Sequence, residues 1–303
     1  MDIAMTGSGG LIGKALVSAL QARGDRILSL TRSADRARTD NDAVFWSPHD
    51  GEIDTAGLDG IDAVIHLAGE PIAEKRWTDA QKRELLSSRT DGTTLISKTL
   101  AGLARPPQTL LSASAIGYYG DTGQNLVDES SPPGTDFLAD ICVAWEAATG
   151  AAEDAGIRTA HLRTGIVQST RGGALAKQLL PFKLGLGGKV LPGTQWISWI
   201  TIDDEVGAIL HALDTPEVSG PVNLVAPNPV TNADYASTLG KVLHRPTFII
   251  PLFGPKLLFG SELAESLLKT SQRVGDGVLS ATGYKFTHTN LVDALRSIID
   301  AGG

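Results

Sequence analysis

Three observations predict a doubly wound α/β fold, a parallel sheet with helices on both faces, followed by a smaller C-terminal lobe. Short apolar runs alternate with helical patterns through the first half of the chain. A glycine-rich turn sits where the first strand meets the first helix. Beyond about Arg163 the alternation stops, and a stretch punctuated by glycine and proline begins. Strands separated by helices pair in parallel, and a parallel sheet needs cover on both faces.

Taken in order, residues 3–6 read as a short strand and residues 11–23 as a helix with Ile12, Leu16 and Leu20 four apart, stopped by Gly24. Residues 26–31 (RILSLT) and 44–46 are the next strands, and residues 62–67 (DAVIHL) a buried one. Thr78-Asp79 opens a long helix to residue 104. A strand at 109–114, a helix at 136–155 and a strand at 158–163 follow. Residues 171–202 hold Gly172, Gly173, Gly185, Gly187, Gly188 and Gly193 with Pro181 and Pro192; they read as a substrate-side loop or as a plain connector. Then come a helix at 203–213, a strand at 221–225, a helix at 231–243 with a cap at Thr231-Asn232, a strand at 247–250 and a mostly helical tail from Pro251. With no repeat or linker, the expected division is 1–170 for a nucleotide-binding domain and 171–303 for a lobe packed onto it, whose strands can cross back into the sheet.

Composition narrows the function. Hydrophobic residues at 42% in 303 allow a large core without staples. A net charge of −8 argues against nucleic acid. The single cysteine, Cys142, permits no internal disulfide and fits a reducing compartment. The start lacks a signal-peptide pattern and no run of 18 apolar residues exists, so a cytoplasmic protein without a membrane span is expected. The six histidines are scattered and predict no metal site.

The informative string is Gly7-Ser8-Gly9-Gly10-Leu11-Ile12-Gly13. After a strand and opening a helix, Gly7 permits the tight turn, Gly10 lets backbone approach a pyrophosphate, and Gly13 lets the helix pack closely on the sheet. The free N–H groups of the helix start, through Ser8, Leu11 and Ile12, then bind phosphate. A glycine turn without a ligand is the alternative. A nucleoside-triphosphate loop is excluded, because Ser8 stands where its first glycine belongs and Ala15 where it needs Ser or Thr. At the end of the second strand, Thr31-Arg32-Ser33 replaces the acidic residue that takes a ribose hydroxyl. A guanidinium there suits a 2′-phosphate, so NADP(H) is expected over NAD(H). Arg36 and Arg38 add positive charge, unless all three arginines are only a solvated loop.

Further strings carry a family resemblance: His66-Leu67-Ala68-Gly69-Glu70, Arg76-Trp77, Ser88-Arg89, Ser112 through Gly120 (SASAIGYYG), Trp145-Glu146, Arg163 through Val167, Pro181-Phe182, Gln195-Trp196 and Trp199 through Asp204. Over nearly the whole chain they resemble the atypical short-chain dehydrogenase/reductases, in the branch named epimerase family protein or nucleoside-diphosphate-sugar epimerase. Some members of that branch carry a cell-division-inhibitor label. The resemblance implies an extended Rossmann fold with NADP across the strand ends. It implies cofactor contacts at Thr31, Arg32, Leu67, Ala68, Glu84, Arg89 and Val167. Arg89 on its amphipathic helix reaches phosphate or ribose, or else forms an exposed salt bridge; His66 reads as a hydrogen-bonded core residue. The branch usually reads Trp-Ile-His-Ile where this chain has Thr201, so no role of that histidine transfers.

Ordinary members of the superfamily use Tyr-x-x-x-Lys, the lysine activating the tyrosine as proton donor. Here those positions are Leu138 and Cys142, and neither does that work. What remains is Ser114, able to hydrogen-bond a substrate carbonyl or hydroxyl, and Tyr118, able to replace the missing acid or merely line the pocket. Lys177 and Lys183 are either phosphate ligands or solvated. Two functions follow: an NADP(H)-dependent oxidoreductase or epimerase on a small polar substrate such as a nucleotide sugar, or a non-catalytic NADP(H) sensor that binds a protein partner.

Overall fold

The computed structural model describes residues 1–303 except 252, 254–255, 257–259 and 303. Its centre is an eight-stranded sheet. Strands β1 (Asp2–Thr6), β2 (Arg26–Thr31), β3 (Ala43–Ser47), β5 (Ala63–His66), β6 (Thr109–Ala115), β7 (Arg158–Thr164) and β12 (Gly220–Leu224) run parallel, and β4 (Glu52–Ile53) pairs antiparallel with β3. The order is β12-β7-β6-β5-β1-β2-β3-β4. Successive strand residues face opposite sides, and here both sides are apolar. Ile3 and Met5 join Ile65, Leu111 and Leu162 under helices α1 (Leu11–Ala22) and α7 (Ile202–Asp214). Ala4 joins Leu28, Leu30, Val64 and Leu110 under α3 (Asp79–Ala101) and α5 (Gly150–Asp154).

Local signals explain most boundaries. Thr78 caps α3 by accepting the Gln81 N–H at 3.1 Å, and Thr231 caps α8 (Asn232–Val242) through Asp234. Three expectations change. The helix expected at 136–155 is two pieces, α4 (Phe137–Ala147) and α5, because Thr149 Oγ1 bonds back to the Glu146 carbonyl and across to His161. The stretch 32–40 is not a loop but α2 (Ala34–Thr39), capped by Ser33, which accepts the Arg36 N–H. Residues 171–202 are neither loop nor connector. They hold α6 (Gly173–Lys183), β9 (Gly188–Val190), β10 (Trp196–Ile197) and β11 (Trp199–Thr201). Thr201, in the place of the branch histidine, caps α7 through the Asp204 N–H at 3.1 Å.

The second half builds its own core. Leu175, Phe182, Trp199, Leu239, Leu295 and Ile298 meet between α6, α8 and α11 (Leu291–Ala301). It also returns to the sheet: β12 pairs with β7, and β11 pairs with the short β8 (Ile166–Gln168) that extends beyond β7. The tail expected from Pro251 includes α9 (Ser261–Leu268) and α10 (Gly277–Ala281); part of its start lies outside the described residues. No helix among the described residues is long and apolar enough to cross a membrane, and none of their acidic, His or Cys side chains group as metal ligands.

Candidate functional site

Strand β1 has β2 on one side and β5 on the other, so consecutive connections leave it in opposite directions. Such a reversal opens a crevice at the C-terminal strand ends. The glycine turn fills one wall. Gly7 has φ +69, and a Cβ on it would lie 2.8 Å from the Leu67 carbonyl carbon. A Cβ on Gly13 would lie 2.1 Å from the Gly7 carbonyl oxygen and 2.9 Å from the Ser8 Cα. Gly13 therefore lets the helix close against its own turn, rather than against the sheet as expected. Gly10, at the N-cap of α1, donates its N–H to the Gly7 carbonyl at 3.0 Å. No side chain caps this helix and its first turn carries no acidic residue, so its free N–H groups and dipole are not neutralised by a carboxylate of that turn.

The opposite wall is held by one hydroxyl. Thr6 Oγ1 accepts the N–H groups of Leu67 and Ala68 at 3.1 and 3.2 Å, and lies 2.7 Å from His66 Nδ1. A hydroxyl that already accepts two N–H groups gives its own proton to Nδ1. The imidazole proton is then on Nε2, donated to Thr93 Oγ1 at 3.0 Å. Burial pushes the His66 pKa down to about 4, so the ring is neutral and structural, as expected.

Arg32, past the end of β2, is exposed and has no ion pair among the described residues. Arg36 and Arg38 are spoken for by Asp40 and Asp35. Arg89 corrects its exposed-salt-bridge alternative. It is 6% exposed, donates to the carbonyls of Leu85 and Glu70 at 2.9 and 3.0 Å, and stacks 4.9 Å from the Trp145 ring. Its Nε is buried without a partner among the described residues, and burial lowers its pKa. Glu84 stands exposed on α3, its charge acting on Lys75. Val167 lies on β8, and its carbonyl would be 3.5 Å from a Cβ on Gly173; Gly172 and Gly173 adjoin the Leu11 side chain. The start of α6 thus meets the start of α1 across the crevice.

The β6 end gathers a polar network that sequence reasoning did not foresee. Ser114 Oγ donates to Glu146 Oε1 at 2.7 Å. Arg163 grips both oxygens of Glu146, Nε and Nη2 each at 2.8 Å, and donates Nη1 to the Tyr119 hydroxyl at 2.9 Å. Tyr119 donates onward to Asn223 Oδ1 at 2.7 Å. Burial opposes the Arg163 charge, but the hydrogen bonds and charge of Glu146 outweigh it and raise its pKa. The Tyr118 ring lies flat on Arg163, 3.4 Å from centroid to guanidinium carbon, and no hydrogen bond reaches its hydroxyl among the described residues. Glu146 and Arg163 are 17 residues apart on different elements, and they entered the sequence analysis only as members of the strings that carry the resemblance, with no role assigned. Cys142 is buried beside Gly117, and burial pushes its thiol up to about 12. That fits the small buried hydrophobe rather than a nucleophile.

From the second lobe, Gln272 donates Nε2 to the Ile116 carbonyl at 3.1 Å, at the foot of the Tyr118 turn. Arg273 beside it stacks 4.3 Å from the Trp196 ring, and its Nε is buried without a partner among the described residues. Neither was foreseen. Lys177 and Lys183 are exposed on α6 and take no part in this network.

Comparison with known proteins follows this geometry. The NAD dependent epimerase/dehydratase family matches residues 3–225, and a domain of unknown function, DUF1731, matches residues 250–298. The chain is 41% identical to the epimerase family protein Mb2239 of Mycobacterium bovis over 296 residues, 97% of this chain and 96% of that one. It superposes on the crystal structure of the human epimerase family protein SDR39U1 with NADPH at a TM-score of 0.89, with 33% identity and 99% of both chains covered. The nucleoside-diphosphate sugar epimerase of Corynebacterium glutamicum gives a TM-score of 0.80 at 36% identity, over 99% of this chain and 58% of that one.

Proposed function

The chain belongs to the NAD dependent epimerase/dehydratase family, and from that premise we propose that it binds NADP(H) and works as an oxidoreductase or epimerase on a small polar substrate. The observation that carries the reading is the crevice at β1. The turn depends on Gly7 and Gly13, the first turn of α1 carries no acidic residue, and Arg32, without an ion pair among the described residues, follows the end of β2, where a 2′-phosphate would fall. The buried, unpartnered Nε of Arg89 is a further donor for the cofactor. A nicotinamide bound there would supply hydride transfer, with Leu67, Ala68 and Val167 holding the cofactor and Ser114 and Tyr118 serving the reacting end. NADPH in the human relative and the name of the Corynebacterium relative favour NADP(H) and a nucleotide sugar. Arg273, with a buried unpartnered Nε, suits the anionic part of such a substrate. Titration with NADPH, followed by its fluorescence, tests the reading, and a screen of nucleotide sugars and small carbonyls tests the chemistry. Absence of NADPH binding would refute the proposal at its root; binding without turnover of any compound would refute its enzymatic half.

The second reading, a non-catalytic NADP(H) sensor, is favoured by one observation: Leu138 and the inert Cys142 occupy the positions of the acid pair. A sensor must bind NADP+ and NADPH unequally, because equal affinity shifts no equilibrium. Equal dissociation constants for the two forms eliminate it.

A further inference from the structure

The network at the end of β6 fixes more than positions; it fixes the direction of a hydrogen bond. Ser114 has one proton. Its only hydrogen-bond partner among the described residues is Glu146 Oε1, at 2.7 Å. Glu146 accepts two N–H groups of a buried Arg163 at 2.8 Å, so it is a carboxylate, which accepts and cannot donate. The proton between Ser114 and Glu146 therefore belongs to Ser114 and points at Glu146. Towards a ligand, Ser114 Oγ presents lone pairs alone.

We infer that the reacting end of this site selects a hydrogen-bond donor, the hydroxyl form of its substrate rather than the carbonyl form, with Ser114 as the specificity-determining acceptor and Glu146, itself clamped by Arg163, as the residue that sets its polarity. This rests on the reading of the crevice as an NADP(H) site. It narrows the sequence-based expectation that Ser114 serves a carbonyl or a hydroxyl equally. A carbonyl oxygen placed against Ser114 meets lone pairs with lone pairs. To receive a hydrogen bond it must draw the Ser114 proton away from Glu146, leaving the buried carboxylate with one donor fewer. A hydroxyl placed there donates without disturbing either. The arrangement is robust because Arg163 is itself held from its other side. Its third hydrogen bond goes to Tyr119, which is fixed by Asn223, and the Tyr118 ring covers its face. The guanidinium cannot swing away to release Glu146 without breaking contacts to three side chains.

The test separates alcohol from carbonyl affinity without turnover, since the overall equilibrium ties the two directions of a reaction together. The whole protein is loaded with tetrahydro-NADP, whose saturated ring passes no hydride. Dissociation constants are then measured by ligand-observed NMR for matched pairs: glycerol and dihydroxyacetone, and cyclohexanol and cyclohexanone. The wild type is expected to favour the alcohol of each pair by about tenfold, the worth of roughly one hydrogen bond. Glu146→Gln keeps the shape but lets the amide donate to Ser114, which frees the serine proton; the preference is expected to vanish or invert. Ser114→Ala, which leaves the Glu146–Arg163 pair intact, is expected to bind both members alike. It keeps the inference falsifiable if the Gln variant does not fold. A wild-type preference for the ketones, or an alcohol preference that survives Ser114→Ala, overturns the inference while leaving the cofactor reading standing. Failure to load tetrahydro-NADP at all overturns the cofactor reading, and this inference with it.

Discussion

Replacing Gly13 with alanine tests the cofactor turn most directly. The new methyl group would lie 2.1 Å from the Gly7 carbonyl oxygen, about 0.9 Å inside the 3.0 Å that real Cβ atoms respect, and 2.9 Å from both the Gly7 carbonyl carbon and the Ser8 Cα. All three are backbone, so no side chain can swing aside. Either the helix start or the turn must move by roughly 1 Å. Overpacking of this kind costs about 1–3 kcal/mol of stability. The same movement carries the N–H groups of Leu11 and Ile12 away from a phosphate. Losing one charge-assisted hydrogen bond costs about 1.5–3 kcal/mol, or roughly tenfold to a hundredfold in affinity. Gly9 is the internal control, because a Cβ there meets nothing within 4 Å. Thermal unfolding without ligand and NADPH titration are measured on both variants. Gly13→Ala is expected to lower Tm by several degrees and weaken NADPH at least tenfold, and Gly9→Ala to keep the wild-type Tm. Equal Tm values for Gly13→Ala and wild type would show that the close approach does not shape the turn, and the argument from Gly13 would fall.

Arg32→Ala is expected to weaken NADP(H) about tenfold to a hundredfold and leave NAD(H) nearly unchanged; equal weakening of both would make Arg32 structural. Glu205 is fully buried, with Oε1 accepting from Thr164 at 2.8 Å and Oε2 without a partner. Burial pushes its pKa from 4.5 up to about 8. Between those values the unfolded chain has released a proton that the folded one keeps, so stability falls as pH rises from about 4.5 to about 8 and levels off above, a loss on the order of 5 kcal/mol. Glu205→Gln should flatten this slope in urea denaturation at pH 5 and pH 9, and an unchanged slope would assign the pH dependence elsewhere. Tyr118→Phe, once a substrate is in hand, should lower kcat and leave NADPH affinity alone; an undiminished kcat would move proton transfer away from that hydroxyl.

The geometry of the glycine turn was legible because its signals are local. A strand, three glycines and a helix start lie within a dozen residues, and Thr78 and Thr231 announce their helices by the residues that follow. The network at Ser114 was not, because its members reach one another only through sheet register. Arg163 stands opposite Ser114 in the β6–β7 pairing, and Glu146 comes from the helix between those strands. Charge alone misled at Arg36 and Arg38, which neutralise their own helix, and burial alone was invisible at Arg89, whose partners are carbonyls. The Gly13 contact escaped because the helix touches its own turn more closely than it touches the sheet.

The return of β12 to the main sheet constrains how the chain is made as well as how it is shaped. While a ribosome is still delivering the middle of the sequence, β7 is an outer strand whose backbone groups on one side have nothing to bond. Leu16 and Leu20 on α1 also lack the Ile209 and Leu213 that cover them in the finished protein. Such an unpaired parallel edge, with Ala160 and Leu162 on its apolar face, invites pairing with another chain. The nascent first half therefore stays adhesive until residue 224 and the helix before it have emerged. A gene cut at residue 170 is expected to yield insoluble material rather than a small nucleotide-binding domain, and holdase chaperones are expected to engage the chain over the interval between β7 and β12.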